Sequence, residues 1–116
     1  MAVSTSLVTK FVIGDRQANI VDVTFDSSYP AGGEAVTAAT LFLENEITAI
    51  FGGVARDPDT HDNAFLCDYD ASAKKLILFG GDNNNTADGP LIELSGMSTP
   101  ITDASPYTAR LLVIGK

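Results

Sequence analysis

The sequence predicts an all-β fold, a β-sandwich or jelly roll of about seven to eight short antiparallel strands with at most one short helix, as a single domain over residues 1–116. Three observations predict it. Apolar and polar residues alternate with a period of two, which is typical of strands with one buried face. Gly-Gly pairs and five prolines separate these segments. A chain of 116 residues has the size of one domain and can build a core without metal or disulfide staples.

The strand pattern occurs in seven segments, namely residues 6–13, 20–25, 47–51, 65–69, 76–79, 91–94 and 107–114. We expect the first two to pair as antiparallel neighbours across the turn at Gly14-Asp15-Arg16. A clearer hairpin joins the fourth and fifth segments, because Asp70 can hydrogen-bond the backbone that follows it and start the turn. Residues 34–43 are the only stretch with helix-like composition, and one or two helical turns are expected there with Thr37 as the N-cap.

The alternation also predicts which side chains share a face. Five such sets are Leu7, Thr9, Phe11 and Ile13; Val21, Val23 and Phe25; Ile47, Ala49 and Phe51; Phe65, Cys67 and Tyr69; and Tyr107, Ala109, Leu111 and Val113. Cys67 is the only cysteine, so no intrachain disulfide can form. Its alternation with two aromatic residues predicts a small buried apolar side chain, and the neighbouring Asp68 and Asp70 disfavour a reactive thiolate.

The charge balance excludes one class of partner. Seven Lys and Arg face fifteen Asp and Glu, which gives a formal net charge of −8. Nucleic-acid binding needs a basic surface that displaces counterions from phosphate, so no nucleic-acid partner is predicted. No apolar run approaches membrane-spanning length and no targeting signal is visible, so no membrane partner is predicted and synthesis in a cytoplasm is expected. An acidic surface keeps subunits soluble until a specific contact forms.

Two loops rich in oxygen ligands, residues 56–63 and 82–89, are candidate calcium sites. The second resembles half of a calcium loop at Asp82, Asn84 and Thr86, but it lacks the closing glutamate and its glycine comes too late. Exposed turns favour the same residues, so no metal-binding residue is predicted.

Catalytic machinery is equally hard to assemble. His61 is the only histidine, no Gly-x-Ser-x-Gly elbow accompanies it, and one His with one Cys cannot fill a zinc site. No glycine loop opens a helix to bind phosphate. No enzyme, catalytic residue or cofactor is therefore predicted, and a hydrolase using Asp57, Asp59 and Asp62 stays a rival hypothesis.

The segment Val23–Thr37 contains Tyr29-Pro30-Ala31-Gly32-Gly33-Glu34 after a strand that ends in Phe25-Asp26. Pro30 presets its own φ and the glycines permit positive φ, which predicts a sharp turn at the rim with the Tyr29 ring packed and its hydroxyl in water. This segment resembles small virion structural proteins of tailed bacteriophages, of the capsid decoration or cement type. Weaker similarity extends through Tyr69-Asp70, Lys75-Leu76 and the closing run 110–116.

The resemblance implies a function and a partner. It implies a capsid decoration subunit that binds and stabilises a shell of major capsid protein, forms a homotrimer, is made in the host cytoplasm and resides on the capsid surface of the virion. The alternative is a tail, neck or fibre-tip module that binds another virion protein or a host glycan. The absence of Trp and the presence of only three Tyr count against glycan stacking.

Overall fold

In the computed structural model, which describes residues 3–26, 29–58, 64–81, 91–93 and 106–116, the chain forms one antiparallel sheet. Its nine strands within those residues are β1 (Ser4–Ile13), β2 (Arg16–Thr24), β3 (Glu34–Ala35), β4 (Ile47–Phe51), β5 (Gly53–Arg56), β6 (Ala64–Asp70), β7 (Lys75–Gly80), β8 (Ile92–Glu93) and β9 (Thr108–Gly115). A single 3₁₀ turn, η1 (Ala39–Leu41), is the only helical element described. The prediction of an all-β, antiparallel, sandwich-like fold is confirmed.

The strands follow the order β1-β2-β9-β5-β6-β7-β3, with β4 also paired to β9 and β8 to β7. β4 and β5 lie one after the other along the same side of β9, because Phe51 pairs with Leu112 and Arg56 pairs with Thr108. Gly52 joins them. A Cβ atom at this position would overlap the carbonyl oxygen of Cys67 on β6, so a glycine lets the two backbones approach.

One hydrophobic core collects the buried side chains of the inner sheet face and of the segment from Tyr29 to Leu43. Its members are Val3, Val21, Val23, Phe25, Tyr29, Val36, Leu41, Leu43, Ile50, Ala55, Cys67, Leu76, Leu78, Ala109, Leu111 and Val113. Strands from both halves of the sheet contribute to this single cluster. The two halves therefore share one core, as the layers of a sandwich do.

Both predicted hairpins are confirmed. β1 and β2 are antiparallel neighbours across the turn at Gly14, whose φ is +59°. In the β6–β7 hairpin the Asp70 carboxylate accepts the backbone N–H groups of Ser72 and Ala73 at 3.0 and 3.2 Å, and Lys74 takes the left-handed conformation with φ of 58°. The Asp70 side chain thus provides an acceptor for two turn N–H groups that have no partner on the neighbouring strand.

The helical turn expected within residues 34–43 is confirmed as η1 (Ala39–Leu41), but the start of the segment and the N-cap differ from the prediction. Glu34 and Ala35 instead form β3 and pair with Leu76 and Lys75 of β7. Pairing with an open sheet edge gives backbone hydrogen bonds that outweigh the helix propensity of alanine, because a helix in so short a segment is marginal. Only η1 remains helical; its N-cap is Ala38, although the Thr37 hydroxyl still accepts the Thr40 N–H at 3.3 Å.

Two predicted face assignments are also wrong, and both fail at a register shift. The pairing of β1 shifts between Leu7 and Thr9, and the pairing of β4 shifts between Ile47 and Ala49. Each shift adds one residue, which moves the following side chains to the opposite face. As a result Phe51 is 57% exposed while its neighbour Ile50 is buried. The assignments for β2, β6 and β9 are confirmed, with their core-facing residues buried or half-buried.

Candidate interaction surface

The face of the sheet opposite the core carries two rows of mainly apolar side chains, which are offset from each other along the strands. Directly paired residues on neighbouring strands point to the same face. One row runs Thr9–Ile20–Leu112–Phe51 across β1, β2, β9 and β4. A second runs Val54–Leu66–Phe79 across β5, β6 and β7. Both rows lie on one face. Arg56 pairs with Thr108, so these two side chains share a face. Val54 is two residues from Arg56 and Leu112 is four from Thr108, and residues an even number apart on a strand point to the same face.

We call this surface the outer band. It consists of Phe11, Ile20, Phe51, Val54, Leu66, Phe79, Leu112 and Ile114. The most exposed members are Phe51, Val54, Phe11 and Leu66, and the others are half-buried against one another. An antiparallel sheet with a solvent face normally shows polar residues there. The outer band therefore marks a face suited to contact with a partner.

The dimensions of the outer band match one ordinary protein interface. Six strand positions about 4.8 Å apart give a width of about 29 Å, and two same-face positions along each strand give about 14 Å. The resulting apolar patch is about 400 Å². A standard interface buries about 800 Å² per partner, of which about 57%, or about 460 Å², is nonpolar, so the two nonpolar areas are similar.

A polar rim ends the outer band along β2 and β9. Arg110 donates two hydrogen bonds to the Asp22 carboxylate at 2.7 and 3.0 Å, and the hydroxyls of Thr24 and Thr108 lie 3.1 Å apart. The hydrogen bond from Arg110 lowers the pKa of Asp22, so this carboxylate stays charged and paired. Arg56 is exposed on the same face. These three charged side chains sum to +1, whereas the chain as a whole is acidic.

The turn at residues 29–34 is fastened to β7 and β8 by three hydrogen bonds, of which the one to Leu78 is buried. Tyr29 is 4% exposed. Its hydroxyl accepts the Leu78 N–H at 2.9 Å and donates to Glu93 Oε1 at 3.0 Å, and the same oxygen accepts the Gly32 N–H at 2.7 Å. The prediction that this hydroxyl stays in water is wrong. Burial raises the pKa of Tyr29, so the phenol remains a donor at neutral pH.

The glycines of this turn have the predicted positive φ. The Pro30 carbonyl accepts the Gly33 N–H at 3.1 Å, with Gly32 at φ of 86° in the third position, as a type II turn requires. Gly33 has φ of 101°, and a Cβ there would overlap the Leu76 carbonyl oxygen. The segment that carries the family resemblance is thus a structural turn in its geometry.

Cys67 has the predicted structural role. Its side chain is buried in the core, and burial followed by the charge of Asp68 raises the pKa of its thiol to about 12. A thiol held neutral in this way packs as a small apolar group.

Most of the polar residues considered as candidate sites lie outside the described residues. Asp57 is half-buried just after β5, whereas Asp59, His61, Asp62 and the whole 82–89 loop lie outside the described residues. Within the described ranges no group of three His, Cys, Asp or Glu side chains is placed to hold a metal ion. Those ranges also contain no helix with the length and apolar character needed to cross a membrane.

Sequence reasoning missed the outer band, although a signal for it exists. The runs Leu76–Phe79 and Leu111–Ile114 are apolar at every position, and such runs indicate strands with both faces covered. The members on β1 and β4 gave no such signal, because register shifts decide which of their side chains face outward.

Comparisons with known proteins add no assignment to this picture. No protein-family model, no curated protein and no solved structure shows a significant match to the chain. Function must therefore be argued from the surface itself, together with the resemblance carried by residues 23–37.

Proposed function

We propose that the chain is a structural protein of a tailed-phage virion, a capsid decoration (cement) subunit that binds the major capsid protein on the outside of the shell. The outer band is the observation that carries the proposal, because it is an interface-sized apolar face with a polar rim. The resemblance of residues 23–37 supplies the virion context. The homotrimer implied by that resemblance remains a prediction, since no residue of the described structure specifies it.

The outer band is expected to give a binding free energy that is modest for one subunit but adds up when many subunits bind the same shell. Burying about 400 Å² of apolar surface is worth about 10 kcal/mol before costs, at about 25 cal/mol per Å². Association itself costs about 4–15 kcal/mol, so one such contact is modest alone. A subunit that spans two neighbouring coat proteins binds the assembled shell but not free coat protein. Binding then stabilises the shell by mass action, and the gain is repeated at every site.

The proposal is tested by binding to shells of the phage that encodes the chain. Purified shells lacking the protein are mixed with wild type, with Leu66→Lys in the outer band, and with Phe42→Lys as control. Phe42 is similarly exposed but lies in the loop after η1. We expect Leu66→Lys to weaken co-sedimentation at least tenfold, because a lysine ammonium would be buried against an apolar partner. Phe42→Lys should bind as wild type.

Electron cryo-microscopy of the virion gives an independent readout. Density for this domain on the shell supports a cement role. Density only at the tail or neck would replace it by the alternative virion role, and absence from the particle would refute both. Equal binding by Leu66→Lys and wild type would show that another surface contacts the shell.

A further inference from the structure

β1 forms one edge of the sheet and is exposed along most of its length. Its exposed apolar side chains are Leu7, Val8, Phe11, Val12 and Ile13, with exposed fractions from 38% to 74%. They lie on both faces of the strand, since Phe11 belongs to the outer band and Val12 faces the other way. At the start of the strand, Thr5 donates to the Thr40 carbonyl at 2.8 Å. No other described strand pairs with the far side of residues 7–13.

The two edges of the sheet differ sharply. The opposite edge is formed by β3 and β8, which have two residues each, and short edges are one way in which proteins avoid unwanted pairing. β1 has ten residues, no proline and a single charge, Lys10. Its only protective device is the register shift after Leu7. An exposed, long and apolar edge of this kind is a template for pairing with another strand.

We propose that β1 pairs edge to edge and antiparallel with β1 of a second copy of this chain, which extends the sheet across a two-fold axis. The inference does not depend on the proposed virion role. It also differs from the homotrimer that the resemblance implies, because a two-fold pair occupies the β1 edge of both copies.

A second copy fits this edge for reasons of matching and charge. An antiparallel pair about a two-fold axis sets each strand against an identical one, and a register centred on Phe11 sets Phe11 against Phe11 on one face and Lys10 beside Val12 on the other. Pairing β1 with β3 of another copy would give a ladder of only two residues. The chain carries a net charge of −8, yet β1 contains no acid. Registers centred away from Lys10 also keep the two ammonium groups apart.

The contact area sets the expected strength. A register centred on Phe11 pairs residues 9–13; these five residues at about 3.4 Å each form an edge about 17 Å long, and a sheet about 10 Å thick then gives about 170 Å² per copy. This is well below the roughly 800 Å² per partner of a stable complex. The dimer should therefore be weak and concentration-dependent, dissociating at low micromolar protein.

Sedimentation equilibrium of the full chain from about 1 μM to about 1 mM tests the inference. Wild type should rise from the 12.2 kDa monomer towards twice that mass. Val12→Lys should raise the dimer dissociation constant at least tenfold. The matched control Val54→Lys makes the same substitution at an exposed valine on β5, which lies in the interior of the sheet. It should change the dimer dissociation constant less than twofold. Circular dichroism verifies that each variant folds.

Hydrogen–deuterium exchange keeps the test decisive if a variant fails to fold. In wild type, amides of residues 9–13 should gain protection as concentration rises, whereas those of β6 should not. A monomer at all concentrations overturns the inference, as does a trimer. A dimer that Val54→Lys disrupts and Val12→Lys does not would also overturn it and would assign self-association to the outer band.

Discussion

The outer band and the turn at residues 29–34 have opposite chemistry. The band is apolar and partly exposed, whereas the turn buries Tyr29, Gly33 and Glu34 and directs polar groups to partners within the fold. The Tyr29 hydroxyl and the Gly32 N–H both donate hydrogen bonds to Glu93 within the same chain, so the turn presents few free polar groups to a ligand. The band has no such internal partners for its apolar surface. The distinctive motif therefore marks where the backbone needs special geometry, and the ordinary-looking strand residues form the contact surface.

Truncating one leucine on each face of the sheet should give the largest contrast. Leu78 is fully buried in the core, and Leu66 lies in the outer band on the adjacent strand. Leu78→Ala should destabilise the fold by about 2–5 kcal/mol through lost burial and the cavity left behind. Leu66→Ala should cost less than about 1 kcal/mol, because its side chain is already partly in water. Urea unfolding followed by circular dichroism measures both.

Equal losses in these two variants would contradict the assignment of faces. They would mean that Leu66 is covered within the isolated chain, so that the outer band is not available to a partner.

Removing one hydroxyl should test the turn. Tyr29→Phe leaves the buried Leu78 N–H without its acceptor and Glu93 without one donor, which should cost about 1–3 kcal/mol. Tyr69→Phe is the matched control, since Tyr69 is half-buried and the structure gives its hydroxyl no hydrogen bond within the described residues. Its stability should change by less than about 0.5 kcal/mol. A neutral Tyr29→Phe would show that water replaces the hydroxyl.

Much of the fold could be predicted because local patterns decide it. Alternation in β2, β6 and β9 identified the core face correctly, and the Asp70 turn followed from side-chain chemistry alone. What failed depended on distant strands. β3 forms because Glu34 and Ala35 pair with the edge of β7. The local sequence contains no strand signal there, and its alanines favour a helix.

The site was harder to predict for a related physical reason. A register shift of one residue leaves composition unchanged but turns Phe51 outward, so exposure cannot be read from periodicity there. The sequence does not predict the burial of the Tyr29 hydroxyl, because its acceptor, Glu93, lies 64 residues away in sequence. Predicting either feature requires the pairing partners, which only the folded sheet supplies.

Glu34 provides the last and smallest test, because it is the one exception to the internal pairing of the turn. Its side chain is 2% exposed, and its Oε1 atom has no hydrogen-bond partner among the described residues. Burial, and then the nearby charge of Asp26, raise the pKa of Glu34 above its ordinary value of 4.5. The folded state therefore binds this proton more tightly than the unfolded state does. The stabilisation is complete below pH 4.5 and is lost as pH rises through the folded-state pKa.

Glu34→Gln should consequently be more stable than wild type at pH 7, because it removes a buried charge while keeping the shape of the side chain. Below pH 4.5 the two proteins should converge, since wild-type Glu34 is then neutral as well. The exposed Glu44→Gln controls for the loss of one negative charge from an acidic chain. Urea unfolding of all three proteins at pH 4 and pH 7 is the measurement. A Glu34→Gln protein that is less stable at pH 7 would show that the carboxylate has a favourable partner, and the turn would then be internally paired throughout.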